Sequence, residues 1–140
     1  MDKWIVYAIA SMAFAGFTSV IAKKGLDGIS GELGIAVRTC FVFAFVLVFA
    51  AFTVGVREAK ALTRENILWL ALSAVTTTVS WIFYYKAIKD GRVSSVALID
   101  KGSFLVAVLM AWLILGERVT GRVLLGSALI LAGLIVVARR

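Results

Sequence analysis

Residues 93–115, VSSVALIDKGSFLVAVLMAWLIL, form the stretch that decides the fold of this chain. The stretch is apolar over 23 residues, which is long enough for an α-helix to cross about 30 Å of hydrocarbon. Asp100 and Lys101 nevertheless stand side by side within it. An ionised group at that depth is costly and indicates a path for a solute or an ion, so the pair predicts a function in transport.

The rest of the chain repeats this pattern. Of its 140 residues 62% are hydrophobic, the mean hydropathy is +1.03, and Pro and His are absent. These values are far from those of soluble domains. Because long runs without apolar–polar alternation are helices rather than barrel strands, we predict an all-α integral membrane protein with five transmembrane helices. The chain forms one domain, residues 1–140, with spans at about 4–22, 33–55, 67–85, 93–115 and 121–138.

The residues outside these spans exclude several functions. They make only short loops and ends, too little for a soluble catalytic domain or a nucleic-acid-binding module. The net charge of +7 comes mainly from Lys and Arg at the span ends, where they anchor helices at the lipid headgroups. The spans contain no nucleophile–base pair and no metal-ligand cluster. We therefore expect neither an enzyme nor a cofactor.

A helix-start signal lies before the third span. Thr63 is a suitable N-cap, and Asn66 stands three residues later in place of the usual Glu or Gln. The sequence predicts a capping pair at this point.

The basic residues outside the spans or near their ends are almost evenly divided between the two sides of the membrane. One side has six and the other has seven, so the positive-inside rule gives no firm orientation. Insertion in both orientations would allow an antiparallel homodimer, which reproduces with two copies what larger transporters build from fused inverted repeats. The alternative is a single orientation set by other features. The first side has Lys3, Arg57, Lys60, Arg64, Arg118 and Arg122, and the second has Lys23, Lys24, Lys86, Lys89, Arg92, Arg139 and Arg140.

Polar groups within the spans fall into one layer. The second and fourth spans start on the same side of the membrane, and the third span ends there. From that side, Asp100 lies about 10 Å along the fourth span and Arg38 about 7 Å along the second span. We predict that this layer binds the substrate. Alternatives are a structural Asp100–Arg38 ion pair, an Arg38 that snorkels to the headgroups, and hydroxyl groups that serve only close helix packing. The predicted substrate-binding residues are Arg38, Thr77, Ser80, Trp81, Tyr84, Asp100 and Lys101.

The charge balance of the layer indicates the class of solute. Two cations against one anion leave a positive excess, which favours a small anionic or zwitterionic solute. A proton-coupled exporter of cationic compounds that uses Asp100 is the alternative transporter. A scaffold or accessory subunit that transports nothing is the other alternative.

Five segments of the sequence carry a further signal: AVRT at 36–39, SWIFYYKAI at 80–88, ALIDKGS at 97–103, LGER at 115–118 and GSALILAG at 126–133. They resemble EamA-type members of the drug/metabolite transporter superfamily, and most closely its half-size bacterial and archaeal family of five-helix proteins. The resemblance implies a secondary transporter of small metabolites in the cytoplasmic (inner) membrane. It also implies that the chain corresponds to one half of a ten-helix inverted-repeat transporter and works with a partner copy.

Two further positions are compared with relatives. Many superfamily members carry Pro in the fourth helix where this chain has Gly102 and Ser103, so any kink here must come from these two residues. Gly126 and Gly133 give the last span a smooth face that resembles the dimerising last helix of the small multidrug resistance family. We predict a dimer interface there, with packing inside one chain as the alternative.

Overall fold

The computed structural model of the protein describes residues 2–138, and within them it contains helices and no strand. This finding confirms the predicted all-α fold. The helices, in chain order, are α1 Lys3–Gly25, α2 Gly31–Thr53, α3 Val56–Lys60, α4 Arg64–Asp90, α5 Val93–Asp100, α6 Ser103–Leu115 and α7 Gly121–Ala138.

The long helices have the length and composition of membrane spans. Helices α1, α2 and α4, and the stretch Val93–Leu115 that contains α5 and α6, are each long and apolar enough to cross a bilayer. Helix α7 is a shorter apolar helix. Most of the large apolar side chains of these helices are exposed in the protein, as expected where the surrounding solvent is lipid.

The fourth span is interrupted directly after Asp100. The amide of Gly102 donates to the carbonyl of Ile99 at 2.8 Å, and the amide of Phe104 donates to that of Lys101 at 3.2 Å. These bonds join residues three apart, so the helix tightens to 3₁₀ geometry at this point. The change in helix geometry therefore falls at Gly102, directly before Ser103.

The chain divides into two compact units, Ala22–Asp90 on the one hand and Met1–Ile21 with Gly91–Arg140 on the other. In the first unit α2 packs against α4. Their backbones meet at Gly31, where a Cβ atom would lie 3.1 Å from the carbonyl carbon and oxygen of Tyr85. Such a close approach requires glycine at this position.

The buried apolar residues of this unit cluster at the end where α2 begins and α4 ends. Leu26, Ile35, Tyr85 and Ile88 form this core. Ser30 caps α2, because its side chain accepts a hydrogen bond from the amide of Leu33 at 3.2 Å. The packing between α2 and α4 is therefore anchored at one end of the helix pair.

The predicted capping pair before α4 is confirmed. The amide of Asn66 donates to the Thr63 hydroxyl oxygen at 3.1 Å, and the amide of Thr63 donates to the Asn66 side-chain oxygen at the same distance. Both bonds satisfy donors that a helix start would leave unpaired.

In the second unit α5 packs against α7. A Cβ atom on Gly102 would lie 3.0 Å from the carbonyl oxygen of Ile99 and 3.3 Å from Cδ1 of Leu134. The interruption of the fourth span is therefore also the place where that span approaches α7 closely.

Replacement of Gly31 with alanine should destabilise the protein. The added methyl group meets backbone atoms of α4, which cannot rotate away, so the free energy of unfolding should fall by about 1–3 kcal/mol. Thermal unfolding in detergent measures this effect. Gly16→Ala is the matched control, because nothing lies within 4 Å of its Cβ position and alanine favours helix. Equal melting temperatures for the two variants would contradict the close contact.

Candidate functional site

Arg38 lies on α2 and stacks on two aromatic rings of α4. Its guanidinium carbon is 4.4 Å from the centroid of the Trp81 ring and 5.9 Å from that of Tyr85. Both distances fall within the range of cation–π interactions, which stabilise a partly desolvated arginine. The structure thus brings together Arg38 and Trp81, which depth along the helices had placed in one polar layer.

The hydrogen-bonding groups of this arginine are incompletely used. The Nη1 atom of Arg38 is buried and has no hydrogen-bond partner among the described residues. A guanidinium carries five N–H donors in its plane, and aromatic stacking covers its faces while it leaves the in-plane donors available. A buried donor without a partner is costly, so this atom indicates a place for an acceptor that the protein itself does not supply.

Tyr85 is the residue of this cluster that the sequence did not predict. Its side chain is only 4% exposed, and it packs edge-on against the ring of Tyr84 with 6.4 Å between the centroids. The sequence analysis followed the hydroxyl residues of α4 and therefore selected Tyr84. The available signal was spacing, because Trp81 and Tyr85 are four residues apart and share one helix face.

The other predicted residues of α4 lie on the same helix as Trp81. Thr77 and Ser80 are exposed, and Tyr84 is partly buried. The neighbouring hydroxyls of Thr76 and Thr78 bond to the carbonyls of Ser73 and Ala74 on their own helix. The role of Thr77, Ser80 and Tyr84 in substrate binding stays a prediction.

Asp100 and Lys101 lie at the interruption of the fourth span, in the unit that does not contain Arg38. Asp100 is the last residue of α5 and is partly buried, whereas Lys101 follows the helix and is exposed. No ion pair joins these two side chains in the part of the chain that the structure describes. This absence fits their positions as adjacent residues that leave the helix in different directions.

The face of α7 that carries the two predicted interface glycines is open. Within residues 2–138 nothing lies within 4 Å of the Cβ position of Gly126 or Gly133. No group of three or more His, Cys, Asp or Glu side chains that could hold a metal ion occurs among the described residues.

The structure combines several apolar helices of membrane-spanning length, a stacked and partly buried arginine, and an interrupted span with two charged residues. These are features of membrane transporters. The chain belongs to the EamA-like transporter family, whose model matches residues 2–139. A relative from Sinorhizobium sp., described as an uncharacterized transporter in the cobO 3' region, is 33% identical over 137 residues, which cover 98% of this chain and 97% of the relative.

No solved structure matches the chain at a significant level. The family and the relative support a multi-pass membrane transporter and point away from an enzyme.

Proposed function

We propose that this protein is a secondary transporter that carries a small anionic or zwitterionic metabolite across the cytoplasmic membrane. The observation that carries the proposal is the Nη1 atom of Arg38, which is buried and has no hydrogen-bond partner in residues 2–138. A carboxylate or another oxyanion supplies the acceptor that this atom needs, and it matches the planar fork of a guanidinium.

The charges of the predicted spans support an anion over a cation. Arg38 and Lys101 are the cations, and Asp100 is the only acidic residue in any predicted span. An excess of positive charge within the spans attracts anions and repels lipophilic cations.

Fluorescence of Trp81 provides a direct test of anion binding. Trp4, Trp69 and Trp112 are exposed and can be replaced by phenylalanine, which leaves Trp81 as the only emitter. Iodide is the probe, because it is an anion that quenches tryptophan on contact. We expect saturable quenching that small carboxylates reverse in competition and that choline does not. Linear, unsaturable quenching by iodide would remove the anion site.

We further propose that two copies assemble as an antiparallel homodimer and expose the site to each side alternately by rocking against each other. The near-equal division of basic residues favours insertion in both orientations. The open glycine face of α7 at Gly126 and Gly133 suits close packing of two helices. A five-helix chain of this family then provides one half of the transporter and its second copy the other half.

Labelling of a single cysteine tests this orientation. In a Cys40→Ser background, Lys60→Cys places the only thiol at the end of α3, shortly before α4 begins. A membrane-impermeant maleimide should label about half of the copies from outside intact cells and the rest only after the membrane is opened. Lys86→Cys, at the opposite end of α4, is the matched control and should give the same division. Labelling of every copy from one side excludes the antiparallel dimer.

A further inference from the structure

The connection between α1 and α2 contains an apolar side chain that is buried deeply. Residues 26–30 form this connection, and Leu26 is only 2% exposed. Leu26 occupies a notch that Gly34 of α2 creates, because a Cβ atom on Gly34 would collide with the Leu26 side chain. Gly28 adopts a positive φ of 72° within the connection, which permits its tight course.

Two lysines fasten this connection to the end of α4. The Nζ atom of Lys23, at the end of α1, donates to the carbonyls of Ile88 at 2.6 Å and Lys89 at 2.8 Å. The Nζ atom of Lys89 donates to the carbonyl of Leu26 at 2.8 Å. Each lysine thus caps the carbonyl end of the other helix, where a positive charge is favoured. We name this reciprocal arrangement the lysine clasp.

The connection lies next to the arginine cluster through one residue. Tyr85 lies at the same notch as Leu26. The Cδ1 atom of Tyr85 is 3.6 Å from the position that a Cβ atom on Gly34 would take. The ring of Tyr85 also faces the guanidinium group of Arg38. Leu26 and Tyr85 therefore both border the Gly34 notch, and Tyr85 in turn covers one side of Arg38.

From these contacts we propose that residues 26–30 are a lid over the cluster of Arg38, Trp81 and Tyr85, held closed by the lysine clasp. The proposal rests on the proposed function in one respect, since a lid is useful only where a solute must enter. A lid has to be a segment that can move without unfolding a helix, and residues 26–30 lie outside the helices, between α1 and α2. The clasp can open because water replaces its hydrogen bonds at little net cost at the membrane surface.

Quenching of Trp81 by acrylamide tests the lid. Acrylamide is neutral and water-soluble, so it reports the access of water to Trp81 and needs no anion site. The experiment uses the protein with Trp81 as its only tryptophan, in lipid nanodiscs, with and without Lys23→Met and Lys89→Met. Loss of the clasp should raise the open population about tenfold, and the quenching constant should rise clearly. Lys24→Met is the matched control and should change nothing, because Lys24 is exposed beside the clasp.

Two further variants separate a lid from a purely stabilising clasp. Thr63→Ala removes the cap at the other end of α4 and lowers stability without contact to residues 26–30. If it raises quenching as much as loss of the clasp does, the increase reports general loosening and the lid is excluded. If the double variant does not fold, Lys89→Met alone removes the bond to the Leu26 carbonyl. Unchanged quenching in a folded variant that lacks the clasp overturns the proposal.

The acrylamide and iodide experiments fail independently. If iodide quenching is not saturable but acrylamide quenching rises when the clasp is removed, the anion site is refuted and the lid stands. If iodide binding is saturable but acrylamide quenching does not change when the clasp is removed, the lid is refuted and the anion site stands.

Discussion

Replacement of Arg38 with methionine should weaken anion binding about 100-fold. A bidentate carboxylate makes two charge-assisted hydrogen bonds to a guanidinium, and methionine fills similar space while it offers no donor. Iodide titration of the protein with Trp81 as its only tryptophan measures this loss, and competition by small carboxylates extends it to organic anions. Insertion and folding should be retained, since the change removes a costly buried group without an acceptor.

Two variants make the test of Arg38 specific. Arg38→Lys keeps the positive charge but loses the planar fork and the stacking on Trp81, so binding should weaken about tenfold. Arg57→Met removes an exposed arginine of the short helix α3 and should leave binding unchanged. Equal affinity for iodide in Arg38→Met and Arg57→Met would falsify the assignment of Arg38 to solute binding.

Asp100→Asn and Lys101→Met should each abolish uptake of a carboxylate that competes with iodide. We expect a loss of at least about 100-fold, because these charges are retained at a cost that a passive helix would avoid. Uptake into proteoliposomes gives the flux, and gel filtration in detergent checks that the variants stay inserted and assembled. Neutral replacement removes a charge from an apolar span, so the variants should still fold and insert.

The chain offers a matched control for this adjacent pair. Glu117 and Arg118 are also neighbours of opposite charge, but they follow α6 and are exposed. Glu117→Gln and Arg118→Met should leave flux unchanged, because these side chains lie outside the predicted spans. Full flux in both Asp100→Asn and Lys101→Met would exclude these residues from the transport path. It would favour the alternative that the protein is a scaffold and transports nothing.

The fold could be predicted from the sequence because lipid imposes one strong condition on every span. Each span must be apolar over about 20 residues and satisfy its own backbone, so hydropathy and length alone identify the helices. The Thr63–Asn66 cap was predictable for a similar reason, since its bonds join residues three apart. Local chemistry is readable where both partners lie within one helical turn.

The site was only partly predictable, because its contacts join distant parts of the chain. Depth along the helices placed Arg38 and Trp81 at one level, and the structure stacks them. Depth does not give the rotation of a helix, so Tyr85 was missed in favour of Tyr84. The lysine clasp was equally hidden, because Lys23 and Lys89 look like ordinary headgroup anchors until both helix ends are known to meet.

The interruption of the fourth span has an electrostatic consequence for the two charged residues beside it. Helix α5 ends at Asp100 and α6 begins at Ser103, and the 3₁₀ turn between them interrupts the α-helical hydrogen-bond pattern beside both charges. Lys101 follows the negative end of α5, and Asp100 precedes the positive end of α6. Each charge thus lies at a helix end of opposite polarity, worth about 0.3–1 kcal/mol at an exposed site and more where water is scarce. A continuous helix would give the same two side chains no such support, so Gly102 makes it easier for the span to keep both charges.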